Sequence, residues 1–148
     1  MEELLKIENL SVGIKSPAGK VQAVRDVSLE LHPGEVLAIV GESGCGKSML
    51  CKTIMKLLPK SAKIERAKII ANGVDITDYS DKDMRKLRGK LFSMIFQDPM
   101  TALNPTIPIG KQIAEAILVH EPKLPKEEVY NRVIELMELV GIKQPHER

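Results

Sequence analysis

The chain has 148 residues, 43% hydrophobic, 28% charged and 3% aromatic, with a net charge of +2. This balance fits one globular domain or part of one, and it is too weakly basic to argue for nucleic acid or a membrane surface. With no Trp, only Phe92, Phe96, Tyr79 and Tyr130 are able to stack on bases, which disfavours a single-strand binding platform.

No apolar run approaches the ~20 residues of a transmembrane helix. The opening MEELLKIENL has neither the positive head nor the long apolar stretch of a signal peptide. The chain is therefore expected in the cytoplasm, meeting a membrane only through a partner. Cys45 and Cys51 flank a predicted helix start and read as reduced cytosolic thiols, not as a disulfide framework or a metal site.

In chain order, LLKIE and LSVGI each alternate, but the phase flips around Asn9, which predicts a strand with a bulge or kink. SPAGK supplies turn residues. VSLELH places Val27, Leu29 and Leu31 on one face and Ser28, Glu30 and His32 on the other. HPGE then turns the chain into VLAIV, a continuous apolar run of the kind buried on both faces of a parallel sheet. Beyond a glycine-rich loop, Leu50, Ile54, Leu57 and Leu58 recur at helical spacing until Pro59 stops the helix. KIIANGVDI reads as two short strands joined at Asn72-Gly73. SDKDMRKLRG reads as a short helix capped by Ser80, with Asp83 three residues on and Gly89 at its end.

LFSMIF predicts another strand, and from TIPIG onward the pattern turns helical. Ile109, Ile113, Ala116 and Ile117 form one face; Val129, Val133, Leu136 and Val140 form the next, with Gly141 as C-cap. Strands first and helices later, around one central apolar strand, indicate an α/β fold.

The loop GESGCGKS, Gly41 to Ser48, satisfies G-x-x-x-x-G-K-[ST] in full. Glycines permit a tight curl of backbone N–H groups and let an anion approach closely, while the positive end of the following helix adds attraction. Lys47 is placed to reach outer phosphates, and the Ser48 hydroxyl to ligate Mg²⁺. The bare pattern arises by chance in roughly one chain in 200 of this length. Here it also follows a buried-type strand and opens a helix, the context that separates a phosphate cradle from an ordinary glycine turn. A second stretch, MIFQDPMTALNP, places Gln97 at a predicted strand end; an amide there either contacts water and Mg²⁺ or simply caps the strand toward solvent.

With both stretches in view, the sequence resembles the ATP-binding subunits of ABC transporters. GESGCGKS matches their Walker A motif, Gln97 falls at their Q-loop glutamine, and QDPMTALNP resembles the oligopeptide, dipeptide and nickel importer branch. The resemblance covers essentially the whole chain. It implies a P-loop NTPase core with an N-terminal antiparallel β subdomain through residue 105, and the start of a helical subdomain over 106–148. It also implies that Gly41, Glu42, Ser43, Gly44, Cys45, Gly46, Lys47 and Ser48 cradle ATP, that Ser48 and Gln97 serve Mg²⁺, and that Gln97 senses the γ-phosphate. The implied partners are a transmembrane permease subunit, a second ATP-binding subunit in a homo- or heterodimer and, indirectly, a substrate-binding protein, with no nucleic acid. The implied location is peripheral, on the inner face of the cell membrane.

Two departures stand out. Where the family commonly stacks an aromatic side chain on adenine, this chain has Ile14, which lacks the ~0.5–1.5 kcal/mol stacking term of aromatic pairs. The 148 residues also contain no Walker B strand with its Asp-Glu pair, no signature motif and no switch histidine. His146 reads as a solvated terminal residue, and His32 and His120 as turn and helix-surface residues. The C-terminal half of the fold is thus expected to be missing, with hydrolysis weak or absent. The alternatives are a non-hydrolysing nucleotide-binding or interaction module and a soluble ABC protein acting on nucleic acid.

Overall fold

A computed structural model describes residues 3–17, 19–98 and 102–144. The chain divides into two compact units, Met1–Phe92 and Ser93–Arg148.

The first unit is built on an antiparallel sheet. Strands β1 (Leu5–Ser16), β2 (Gly19–Leu31), β3 (Ala62–Ala71) and β4 (Val74–Asp75) stand in the order β2-β1-β3-β4. The phase flip around Asn9 is a real irregularity: β1 shifts register against β2 between Ile7 and Leu10 and again by Val12, and Asn9 has φ 52°. The shift keeps Leu5 and Ile7, then Leu10 and Val12, all buried. Side chains bond backbone amides beside the irregularity. The Asn9 amide donates to Ser28 Oγ at 2.9 Å, and the Asp26 amide donates to Ser11 Oγ at 3.0 Å. The Asn72-Gly73 turn joins β3 to β4 with φ 47° and 74°, the two left-handed residues of a type I′ hairpin.

Two helices complete this unit, α1 (Lys47–Ile54) and α2 (Asp81–Leu87). Ser80 caps α2, its hydroxyl accepting from the Asp83 amide and donating to Asp83 Oδ2 at 2.6 Å. The core gathers Ile7, Leu10, Val12, Ile69, Ile76 and Met84, with Leu50 of α1 against it.

Three sequence expectations need correction here. Helix α1 ends at Ile54, short of Leu57 and Leu58, because Lys56 takes a left-handed conformation (φ 51°). The Lys56 amide then donates to Thr53 O at 3.0 Å and the Leu57 amide to Lys52 O at 2.8 Å, a Schellman closure without glycine. The VLAIV run forms no ladder, and Val36 and Val40 are 93% and 92% exposed. LFSMIF likewise makes only one isolated bridge, Arg88 to Phe92, and Ile95 is 98% exposed. A strand buried on both faces needs strand neighbours and covering layers, and among the described residues neither segment has them. The interior strands of the observed sheet are β1 and β3.

The second unit is a helical hairpin of α3 (Ile109–His120) and α4 (Lys126–Leu139). Val129, Val133 and Met137 are buried against Ile109, Ile113, Ala114 and Ile117. Ala114 and Met137 thus take the places expected for Ala116, Leu136 and Val140, which are exposed. Four-residue steps 129–133–137 and 109–113–117 run along one ridge of each helix, while Val140 lies beyond the last helical turn. Gly141 (φ 77°) closes α4 as foreseen: its amide donates to Glu138 O and that of Ile142 to Met137 O, each at 2.9 Å. Arg132 pairs with Glu121 at 2.8 Å across the hairpin, an exposed contact of small energetic weight. No helix among the described residues is long and apolar enough to cross a membrane. His146 lies outside the described residues, as do Pro99, Met100 and Thr101 of the QDPMTALNP stretch.

Candidate phosphate-binding site

The loop from Gly41 to Ser48 lies on the surface of the first unit and runs directly into α1. Its glycines have different reasons to be there. Gly46 is the N-cap of α1 at φ 102°, and a Cβ on it would run into the carbonyl oxygen of Ala23 on β2. Close approach of loop to strand therefore fixes where the helix begins. Gly44 also has positive φ (82°) but open space around it. At Gly41 a Cβ would meet Cys45 Sγ at 2.7 Å, so the thiol lies over the start of the loop.

Because Gly46 offers no side chain as a cap, the first-turn amides of α1 remain available to an acceptor from outside. Lys47 folds back over the loop: its Nζ donates to Gly41 O and Glu42 O, both at 2.6 Å, and stands 3.5 Å from Cys45 Sγ. These acceptors are uncharged, so they hold the ammonium in place without neutralising it. Ser48 is exposed on the first turn. The site thus combines helix amides, one poised cation and one hydroxyl, a donor set suited to a polyanion.

Helix α1 is anchored at both ends. Leu50 and Thr53 are buried, and Thr53 Oγ1 donates back to Met49 O at 2.7 Å. Past its carboxyl end, Arg88 reaches three acceptors: Nε donates to Met55 O at 3.0 Å, one terminal nitrogen to Lys56 O at 3.1 Å, and the other to Asp81 Oδ1 at 2.8 Å. Lys56 extends the opposite way, its Nζ donating to Thr77 O at 2.7 Å and Tyr79 O at 2.6 Å. Burial pushes the Lys56 ammonium below its usual range, against the opposing pull of Asp78 and Asp75. The hydrogen bond from Arg88, with the nearby Arg85 charge, holds the Asp81 carboxyl below its usual range.

Sequence reasoning did not single out Arg88 or Lys56. The available signal was weak: cations near a helix end favour its dipole, but nothing in the sequence says which carbonyls they reach. Gln97 belongs to the second unit, exposed and outside regular structure, and Ile14 is half-buried on β1 between Val21 and Ala62. Among the described residues no group of three or more His, Cys, Asp or Glu side chains is arranged to hold a metal.

Comparison with known proteins extends this local picture. Residues 24–148 match the family model described as ABC transporter. The chain is 50% identical, over its whole length, to the dipeptide transport ATP-binding protein DppD of Bacillus subtilis (strain 168), of which it covers 44%. It is 49% identical, over 98% of its length, to the oligopeptide transport ATP-binding protein OppD of the same organism, covering 40%. The chain therefore spans less than half the length of these curated relatives. A dimeric structure of a post-hydrolysis state of the ATP-binding cassette MJ0796 bound to ADP and Pi superposes with a TM-score of 0.78 at 21% identity. That superposition covers 95% of this chain and 58% of the other, a likeness of fold. With the family model spanning most of its length and the glycine loop inside the matched region, the chain belongs to the ABC transporter family.

Proposed function

We infer that this chain binds Mg-ATP through Gly41–Ser48 and represents the phosphate-binding part of the energy-coupling subunit of a peptide-type ABC importer. The observation carrying the reading is the loop itself: a capless helix start, a non-glycine-intolerant turn at Gly46 and a Lys47 ammonium held only by neutral acceptors. The names of DppD and OppD, dipeptide and oligopeptide transport ATP-binding proteins, support the importer branch.

In this reading the amides of Gly44 through Ser48 orient the phosphates, and Lys47 swings from Gly41 O and Glu42 O to the outer phosphate oxygens. The Ser48 hydroxyl serves Mg²⁺, an ion that keeps several waters and needs few protein ligands. When bound, Mg-ATP supplies the phosphoryl chemistry; the residues of this chain bind and orient it. The partners in this reading are a permease subunit and a second ATP-binding subunit, which together place the chain on the cytoplasmic face of a membrane.

The test is titration calorimetry of the chain and of Lys47→Ala with Mg-ATP. Losing a charge-assisted contact worth ~1.5–3 kcal/mol is expected to weaken binding about tenfold to a hundredfold. Equal affinity of the two proteins contradicts the reading of the loop.

A further inference from the structure

Helix α1 has eight residues, so its two ends lie close together and whatever holds one end aims the other. At the loop end, Gly46 packs on the backbone of β2. At the far end, the Schellman closure uses the amides of Lys56 and Leu57, and the carbonyls of Met55 and Lys56 are taken by Arg88. We propose that Arg88 is a positioning residue for the phosphate loop: by gripping the carboxyl end of α1, it fixes the axis that carries the amides of Gly46, Lys47 and Ser48. This rests on the reading of the loop as a nucleotide site.

The geometry explains why an arginine stands here. Its planar fork addresses Met55 O, Lys56 O and the Asp81 carboxylate together, tying the helix end to α2, whereas an ammonium is a point donor without that fixed fan. Lys56 crosses in the other direction to Thr77 O and Tyr79 O, so the joint is laced from both sides. A helix of this length is about 12 Å long, and a tilt of about 5° at its far end displaces the first amides by about 1 Å. Displacements of about that size cost up to about a hundredfold where positioning matters.

The experiment compares the parent chain with Arg88→Ala and Arg88→Lys, the latter keeping the charge and most of the bulk. Both variants are expected to raise the Mg-ATP dissociation constant about twofold to thirtyfold. Amide exchange should quicken at Leu50, whose N–H donates to Gly46 O, but not at Ile76, whose N–H donates to Ile69 O in the sheet. Unchanged nucleotide affinity in either folded variant overturns the proposal, and so does acceleration shared equally by Leu50 and Ile76, which signals general loosening. The exchange measurement needs no nucleotide. If the parent fails to bind Mg-ATP, the nucleotide reading falls, and the exchange pattern alone then decides whether Arg88 holds the helix.

Discussion

Replacing Gly46 by Ala probes two physical terms that its neighbours separate. An L-residue at φ 102° is strained, and a left-handed conformation costs roughly 1–2 kcal/mol. The added Cβ also collides with the Ala23 carbonyl, a backbone atom in a paired strand that has no easy retreat. Overpacking of that kind adds about 1–3 kcal/mol, giving about 2–5 kcal/mol in total. Gly44→Ala is the control for strain alone, with φ 82° and nothing within 4 Å of its Cβ, and should cost about 1–2 kcal/mol. Gly41→Ala meets only the movable Cys45 thiol at 2.7 Å and should cost under about 1 kcal/mol. Urea unfolding of the four proteins followed by far-ultraviolet circular dichroism, with a shared slope, reads these differences from the midpoints. If Gly46→Ala and Gly44→Ala agree within about 0.5 kcal/mol, the loop does not press against β2 and the account of where α1 starts is wrong.

Two further outcomes follow from other parts of the molecule. Met137 is fully buried between α3 and α4, so Met137→Ala should cost the hairpin about 2–5 kcal/mol, seen as a lowered melting temperature of the helical signal; a shift within error contradicts that packing. Hydrogen bonds from Arg88 to Asp81, from Ser80 to Asp83, and from Lys20 and Gln22 to Glu65 hold these carboxyls below their ordinary range. Groups lowered in the folded state contribute stability above their unfolded values, about 3.9 for Asp and 4.3 for Glu, and lose it as pH falls through the folded values. The urea midpoint should therefore decline as pH drops from about 5 toward 2, and a midpoint that rises over this window contradicts the sign.

Local chemistry was legible in the sequence because its causes are local. The phase flip at Asn9, the Asn72-Gly73 hairpin, the Ser80 cap and the Gly141 closure each rest on a few adjacent residues, and all appear in the structure. The glycine loop was readable for the same reason: the left-handed turns at Gly44 and Gly46 and the start of α1 lie within eight contiguous residues. The helical faces were half readable; Ile113, Val129 and Val133 pack as expected, but Ala114 and Met137 displace Ala116 and Leu136 because the partner helix chooses the ridge.

The sequence by itself determined the glycine turn before α1, the antiparallel β elements and the two packed helices, since backbone freedom, capping and periodicity act over a few residues. Tertiary structure decided the rest. Whether VLAIV becomes a strand depends on neighbours that the run does not contain, and among the described residues it has none. Where α1 stops depends on a left-handed Lys56 that no glycine announces, and what holds that end depends on Arg88, more than thirty residues away. Hydrogen bonds between distant residues have geometry but no local pattern, so only the folded chain reveals them.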